Sequence, residues 1–177
     1  MTQANAGTWI TDPAAYRKKL YDLLGDRDPI EVMSATADVL AAITDQHTPE
    51  QMRARPFEGK WTPNEVIGHL CDTVWVYGYR LRLILSEDMP AILGMDQDLW
   101  VQAQRHKDRE PSELVDMFRS MRLCDLTLWK QLTPADLNRA GRHNERGDET
   151  LGDMLRMMAG HDLWHLDQIR RYLQATK

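Results

Sequence analysis

The stretch GKWTPNEVIGHLCD, residues 59–72, carries the clearest helix start in the chain. Thr62 and Glu65 have the spacing of a capping box, Pro63 sits in the first turn, and Trp61 is placed to staple against Val66. The helix is expected to begin at Pro63 and to run to about Leu85. Val66, His69, Thr73, Val76 and Arg80 recur along it every three or four residues. That is the spacing of a single face, so His69 is expected to point inward with its apolar neighbours.

Upstream, TDPAAYRKKLYDLLG offers Asp12 as cap, Pro13 in the first turn and Gly25 as terminator. A second helix opens on Asp28 and Pro29 and carries Ile30, Met33, Ala37, Leu40 and Ile43 at helical spacing. Downstream, residues 86–110 read as a loop with one short helix, either a long crossover or a lid. Periodicity returns from Pro111, with Leu114, Phe118, Met121 and Leu128 on one side. Residues 133–149 read as a polar connector. A last helix starts near Thr150, which forms a capping box with Asp153, and runs to about Gln174. No segment shows strand alternation or an Asn-Gly or Asp-Gly hairpin turn. The expectation is an all-α chain, a four-helix bundle in one domain over 1–177, with residues 1–11 loosely ordered.

Composition narrows the function. A chain of 177 residues with 42% hydrophobic side chains suits one domain with a substantial core. A net charge of −5 argues against nucleic acid, because no basic excess is present to neutralise phosphates. No apolar run reaches the length of a membrane span, and the first residues lack the pattern of a signal peptide. Cys71 and Cys124 are isolated, which suits reduced thiols in the cytoplasm.

The chemistry-bearing residues are histidines. In GHDLWHLDQIRRYL, residues 160–173, His161 and His165 are four apart and so share a helix face. They lie in one stripe with Leu151, Met154, Met158, Ile169 and Tyr172, pointing inward like His69. Three imidazoles from two helices make the donor set of an open metal site with an exchangeable fourth position. Such donors suit zinc, nickel, iron or copper. Gly68 and Gly160 precede His69 and His161, which suggests close approach of the two helices there. Other metal chemistries fit less well. Asp162 stands where a zinc protease has glutamate in HExxH, and the chain has no Glu-x-x-His of the di-iron bundles.

Around this set, Asp72 and Asp162 are candidate catalytic proton carriers or orienters of the histidines. Arg80, Arg122, Trp100 and Gln168 are candidates for contact with a bound cofactor or substrate. The two arginines would hold a carboxylate or pair with acids such as Asp125, and Gln168 would line the pocket or bridge helices. Glu65 is assigned to the cap. Trp75, Trp129 and Trp164 are expected in the core and Cys71 in packing, while His47, His106 and His143 fall in polar segments and are expected at the surface.

Taken together, GKWTPNEVIGHLCD and GDETLGDMLRMMAGHDLWHLDQI (147–169) resemble the DinB/YfiT-like superfamily, over roughly residues 30–173. The resemblance implies a four-helix bundle with an up-down-down-up course, often dimeric. It also implies that His69, His161 and His165 bind a divalent metal such as zinc or nickel. Characterised relatives include transferases and isomerases that use a low-molecular-weight thiol such as mycothiol or bacillithiol. The leading expectation is therefore a metal-dependent enzyme acting on a small molecule by thiol transfer. The alternatives are a metal-dependent hydrolase and a non-catalytic metal-binding stress or interaction protein. A pocket reaching the histidines from solvent favours an enzyme.

Overall fold

A computed structural model describes residues 12–176; the expectation for residues 1–11 lies outside the described residues. The chain forms α1 (Pro13–Leu24), α2 (Pro29–Asp45), α3 (Pro49–Arg53), α4 (Pro63–Ser86), β1 (Ala91–Ile92), α5 (Gln97–Ala103), a 3-10 turn (His106–Asp108), α6 (Pro111–Trp129), α7 (Pro134–Leu137), β2 (Ala140–His143), β3 (Gly147–Thr150) and α8 (Leu151–Ala175). The local chemistry read from sequence sets the helix starts. Asp12 and Asp28 accept from the first backbone amides of α1 and α2, and reciprocal capping boxes close Thr62–Glu65 and Thr150–Asp153. Each cap satisfies amides that would otherwise face the solvent unpaired.

The four long helices α2, α4, α6 and α8 form the bundle. α2 packs on α8 and α6, and α4 packs on the same two, so α2 and α4 lie diagonally opposite. Directions follow from the connections. β1, just after α4, pairs in parallel with β2, which follows α6, and Arg139 Nε donates to the Ile84 carbonyl at 2.8 Å. α4 and α6 therefore end at the same end of the bundle, and α8 starts there and runs back. Thr36 of α2 meets Asp162, and residues further along α2 pack with residues further along α8, so these two are parallel. The course is up-down-down-up. Its parallel neighbours α4 and α6 require a long crossover, and residues 87–110 supply it. Asn64, wholly buried at the start of α4, fastens that crossover by donating to the carbonyls of His106, Lys107 and Arg109 at 3.2, 3.3 and 2.7 Å.

Three expectations need correction. The connector is not structureless: Ala140–His143 and Gly147–Thr150 form a hairpin, joined by β1 into a small sheet in the order β1-β2-β3. These strands are too short and polar to show alternation. On α6 the buried line is rotated from the one expected. Met121 and Leu128 are only half-buried, while Arg122, Asp125 and Leu126 lie inside with Leu114 and Phe118. Trp129 is buried, Trp164 is half-buried under Lys19, and Trp75, expected in the core, is 64% exposed. No helix among the described residues is long and apolar enough to cross a membrane.

Candidate metal centre

His69 lies two turns into α4, and His161 and His165 lie in the middle of the antiparallel α8. Their Nε2 atoms converge. His161 Nε2 is 3.1 Å from that of His69 and 3.0 Å from that of His165, and one donor atom from each ring lies within 4.8 Å of the other two. His69 and His165 are buried, and His161 is partly exposed. Behind His165, Gln168 Oε1 takes the Nδ1 proton at 2.6 Å, and the Gln168 amide donates to the Tyr172 hydroxyl at 2.8 Å. A proton on Nδ1 leaves Nε2 with a free lone pair, so α8 presents that ring as a metal ligand would be presented. The Nδ1 atoms of His69 and His161 are buried without a protein partner.

Electrostatics point the same way. Burial pulls His165 down to about 4, and burial together with the neighbouring His165 pulls His69 and His161 well below the ordinary histidine range. All three rings are therefore neutral at neutral pH, the protonation state that a metal requires. Hydrogen bonds alone satisfy the cluster poorly, since three facing nitrogens cannot all both donate and accept. A zinc ion at about 2.0–2.1 Å from each nitrogen would need them roughly 3.4 Å apart, close to the two separations that His161 makes, while the His69–His165 pair lies within 4.8 Å. The residues present fit a divalent ion.

His69 and His161 form part of the wall of a cavity of about 640 Å³, walled by α1, α4, α8, residues 94–98 and the β2–β3 turn. Leu20, Val76, Met157 and Met158 give it apolar sides; Arg80, Arg146, Asp96, Asp98 and Glu145 give it charged ones. The volume suits a small molecule.

The sequence model of the DinB superfamily matches residues 33–169. The chain belongs to the DinB superfamily. Among curated relatives, a protein of Oceanobacillus iheyensis named "Putative metal-dependent hydrolase" is 29% identical over 121 residues, 68% of this chain and 69% of that one. YfiT of Bacillus subtilis, with the same name, is 25% identical over 141 residues, 79% of each chain. The solved structure of YfiT, described as having "an unusual four-helix bundle topology", superposes with a TM-score of 0.77 at 21% identity, covering 96% of this chain and 92% of that one.

In this DinB chain the other candidates divide. Neither Asp72 nor Asp162 hydrogen-bonds a histidine of the triad. Asp72 takes Gln104 at 2.7 Å and His106 at 3.1 Å, so it ties the crossover to α4. Asp162 turns away from the cavity, taking Thr36 at 2.8 Å and Arg122 at 3.0 Å. Arg122 pairs with Asp162 and lines no part of the cavity, and Asp125 pairs instead with Arg82 at 2.6 Å. Gln168 neither lines the cavity nor bridges helices; it orients His165 along α8. Arg80 does line the cavity. Trp100 lines a smaller depression beside it, which shares Val76, Arg80, Gly94 and Met95 with the main cavity. Glu65 caps, and Cys71 packs with its thiol donating to the Leu114 carbonyl at 3.3 Å.

Two histidines expected at the surface are buried. His106 is wholly inside against Asp72, and His143 is 2% exposed, accepting from the Glu145 amide. His47 is half-buried, its Nδ1 bonded to the Ile43 carbonyl. The glycine pair also has a different cause. A Cβ at Gly68 would sit 2.1 Å from the His106 ring, and one at Gly160 would sit 2.3 Å from the Leu20 carbonyl. Each makes room for the crossover or for α1, and neither for the other's helix. Sequence reasoning missed Tyr16, Asp98 and Arg146, all in the cavity wall. Asp98 stands in the cavity wall with His69, whose ring lies 4.9 Å from that of Trp61. No short motif marks these residues, because separate loops and α1 bring them to the site.

Proposed function

We propose that this protein is a metal-dependent enzyme acting on a small molecule, with one divalent ion, zinc or nickel first, held by His69, His161 and His165. The observation that carries this reading is the meeting of three neutral imidazoles, two of which, His69 and His161, stand in the wall of an open cavity of about 640 Å³. A purely structural metal site needs no such access, and that counts against a non-catalytic metal-binding role. When bound, the ion would polarise a carbonyl and acidify a water or thiol. The chain's own residues would do the rest. Gln168 fixes the His165 ring, the apolar wall of Leu20, Val76, Met157 and Met158 excludes water, and Asp98 is a candidate to carry a proton. Burial holds the Asp98 carboxyl above its usual range, which suits exchange of a proton nearer neutrality.

Hydrolysis is the reaction supported by the names of the relatives. Thiol transfer is the second reading. It is favoured by the absence, among the described residues, of any carboxylate bonded to the triad, since an acidified thiol needs no separate base. We infer a homodimer as well, on the family likeness; a single-chain mass in sedimentation at micromolar concentration would remove it.

The test is elemental analysis of untagged protein purified without chelator, beside His161→Ala. About one equivalent of metal in the parent, lost in the variant, is expected. No metal after reconstitution with zinc, nickel and iron would overturn the reading. Metal-loaded protein would then be offered ester and amide panels, and separately small thiols with electrophiles. Turnover confined to one set decides between hydrolysis and transfer.

A further inference from the structure

Eleven residues beyond His69 on α4, the cavity wall holds a buried cation that has no ion pair among the described residues. Arg80 is 3% exposed and lines the cavity, yet no carboxylate pairs with it among the described residues. Residues 1–11 contain no acid that could supply one. One guanidinium nitrogen donates to the Leu93 carbonyl and lies 3.4 Å from His143 Nε2, and its Nε is buried without a partner. The neighbouring charges are already matched: Arg146 forks onto the buried Glu149 at 2.5 and 2.8 Å. None of the acids of the cavity wall forms an ion pair with Arg80: Asp96 caps α5, and Glu145 is exposed beside Gly94. A buried, unmatched guanidinium is costly unless an anion meets it, and its planar fork suits a carboxylate.

His69 and Arg80 lie on one face of α4, eleven residues apart, or about 16 Å along the helix axis. Thr73, Val76 and Tyr77 line the cavity between them, opposite Met157 and Met158.

We propose that Arg80 is the binding pole for a substrate carboxylate, so that the molecule taken is elongated, with an apolar middle and a negative terminus away from the histidines. This deepens the reading given under Proposed function and rests on the cavity being the substrate site. It does not require the metal.

The test titrates the full-length protein, as purified and after metal stripping, with hexanoate and its neutral isostere hexanamide, followed by amide NMR shifts. Hexanoate is expected to bind the parent at least tenfold more tightly than hexanamide, with shifts clustered around Arg80, and to keep that preference after stripping. Arg80→Gln is expected to abolish the preference and Arg80→Lys to keep part of it, since the lysine retains charge but not the fork. Equal affinities for the two probes in the parent, or binding of neither, would overturn the proposal, and that comparison needs no variant to fold. A preference that survives Arg80→Gln but vanishes on stripping would place the carboxylate at the histidines, overturning the Arg80 pole while sparing the metal site. The preference without any metal in the parent would do the reverse.

Discussion

His161 and Asp162 are consecutive on α8 and face two different kinds of polar interior. Asp162 looks between α2 and α6, where Thr36 and Arg122 satisfy both carboxylate oxygens outside the wall of the cavity beside the histidines. His161 looks toward α4, where three imidazoles face one another beside an open cavity and two Nδ1 atoms have no partner. The first is a knot, a carboxylate whose oxygens folding satisfies inside a closed ion pair, although Arg122 Nε and Nη1 keep no hydrogen-bond partner; the second is a set of facing imidazoles that folding leaves open to a cavity. An unfinished buried polar group beside a cavity is the better mark of function, because stability alone would have removed it.

The contrast is broken most severely at the knot. Burial holds the Asp162 carboxyl above its usual range even with Arg122 beside it, so desolvation outweighs the pairing. Arg122→Met leaves that carboxyl buried and alone, with an expected loss of about 3–5 kcal/mol in urea unfolding. Adding Asp162→Leu should restore most of it, since an apolar pair of similar volume is close to neutral in such sites. A double variant as unstable as the single one would mean that the knot stabilises the fold outright.

Acid tests the other side. Below pH 6.5 the unfolded chain protonates its histidines, whereas folded His165 waits until about 4 and His69 and His161 lie well below 6.5. The unfolded state then binds more protons, so stability falls as pH drops from about 6.5 to about 4. His165 alone accounts for on the order of 3 kcal/mol at the lower limit. Asp162 works in the opposite sense, and repeating the titration in the Arg122→Met/Asp162→Leu background removes it. A metal-free protein whose urea midpoint is flat across that window would deny that the rings are buried neutral. Zinc supplies a slightly smaller effect. Free zinc at a hundred times its dissociation constant should add about 2.7 kcal/mol, and His161→Ala should lose that gain while retaining its metal-free stability.

Much of this was legible locally. Asp12, Asp28, Thr62 and Thr150 begin helices through hydrogen bonds within three residues, so the sequence alone contains both partners. The inward direction of His69, His161 and His165 follows from helical periodicity, which also depends on neighbours in sequence. What stayed hidden depends on partners far away. His106 sits in the charged run QRHKDRE and looks solvated, but Gly68 clears the space for its ring and Asp72 receives it, both on another helix. Arg122 and Asp162 are 40 residues apart, and either could as well have faced the cavity. The β2–β3 hairpin escaped for a different reason: four-residue strands with polar side chains carry too little alternation to be seen.

The smallest effect lies where the two regions differ most subtly, in what stands behind a polar group. Gln168 belongs to neither the cavity nor the knot, yet it accepts the His165 Nδ1 proton and is itself held by the Tyr172 hydroxyl. Gln168→Ala removes both bonds, at a cost of about 1 kcal/mol in stability for a part-exposed pair. Its effect on metal should be clearer, a drop in zinc affinity of about 10–100-fold, because the ring is then free to turn and to take the other tautomer. Gln168→Glu should restore affinity, since a carboxylate accepts the same proton more strongly. Competition against a chromogenic chelator measures both. If the alanine variant binds zinc as the parent does, packing alone orients His165. The triad would then owe its geometry to the helix stripe without help from its neighbour one turn on.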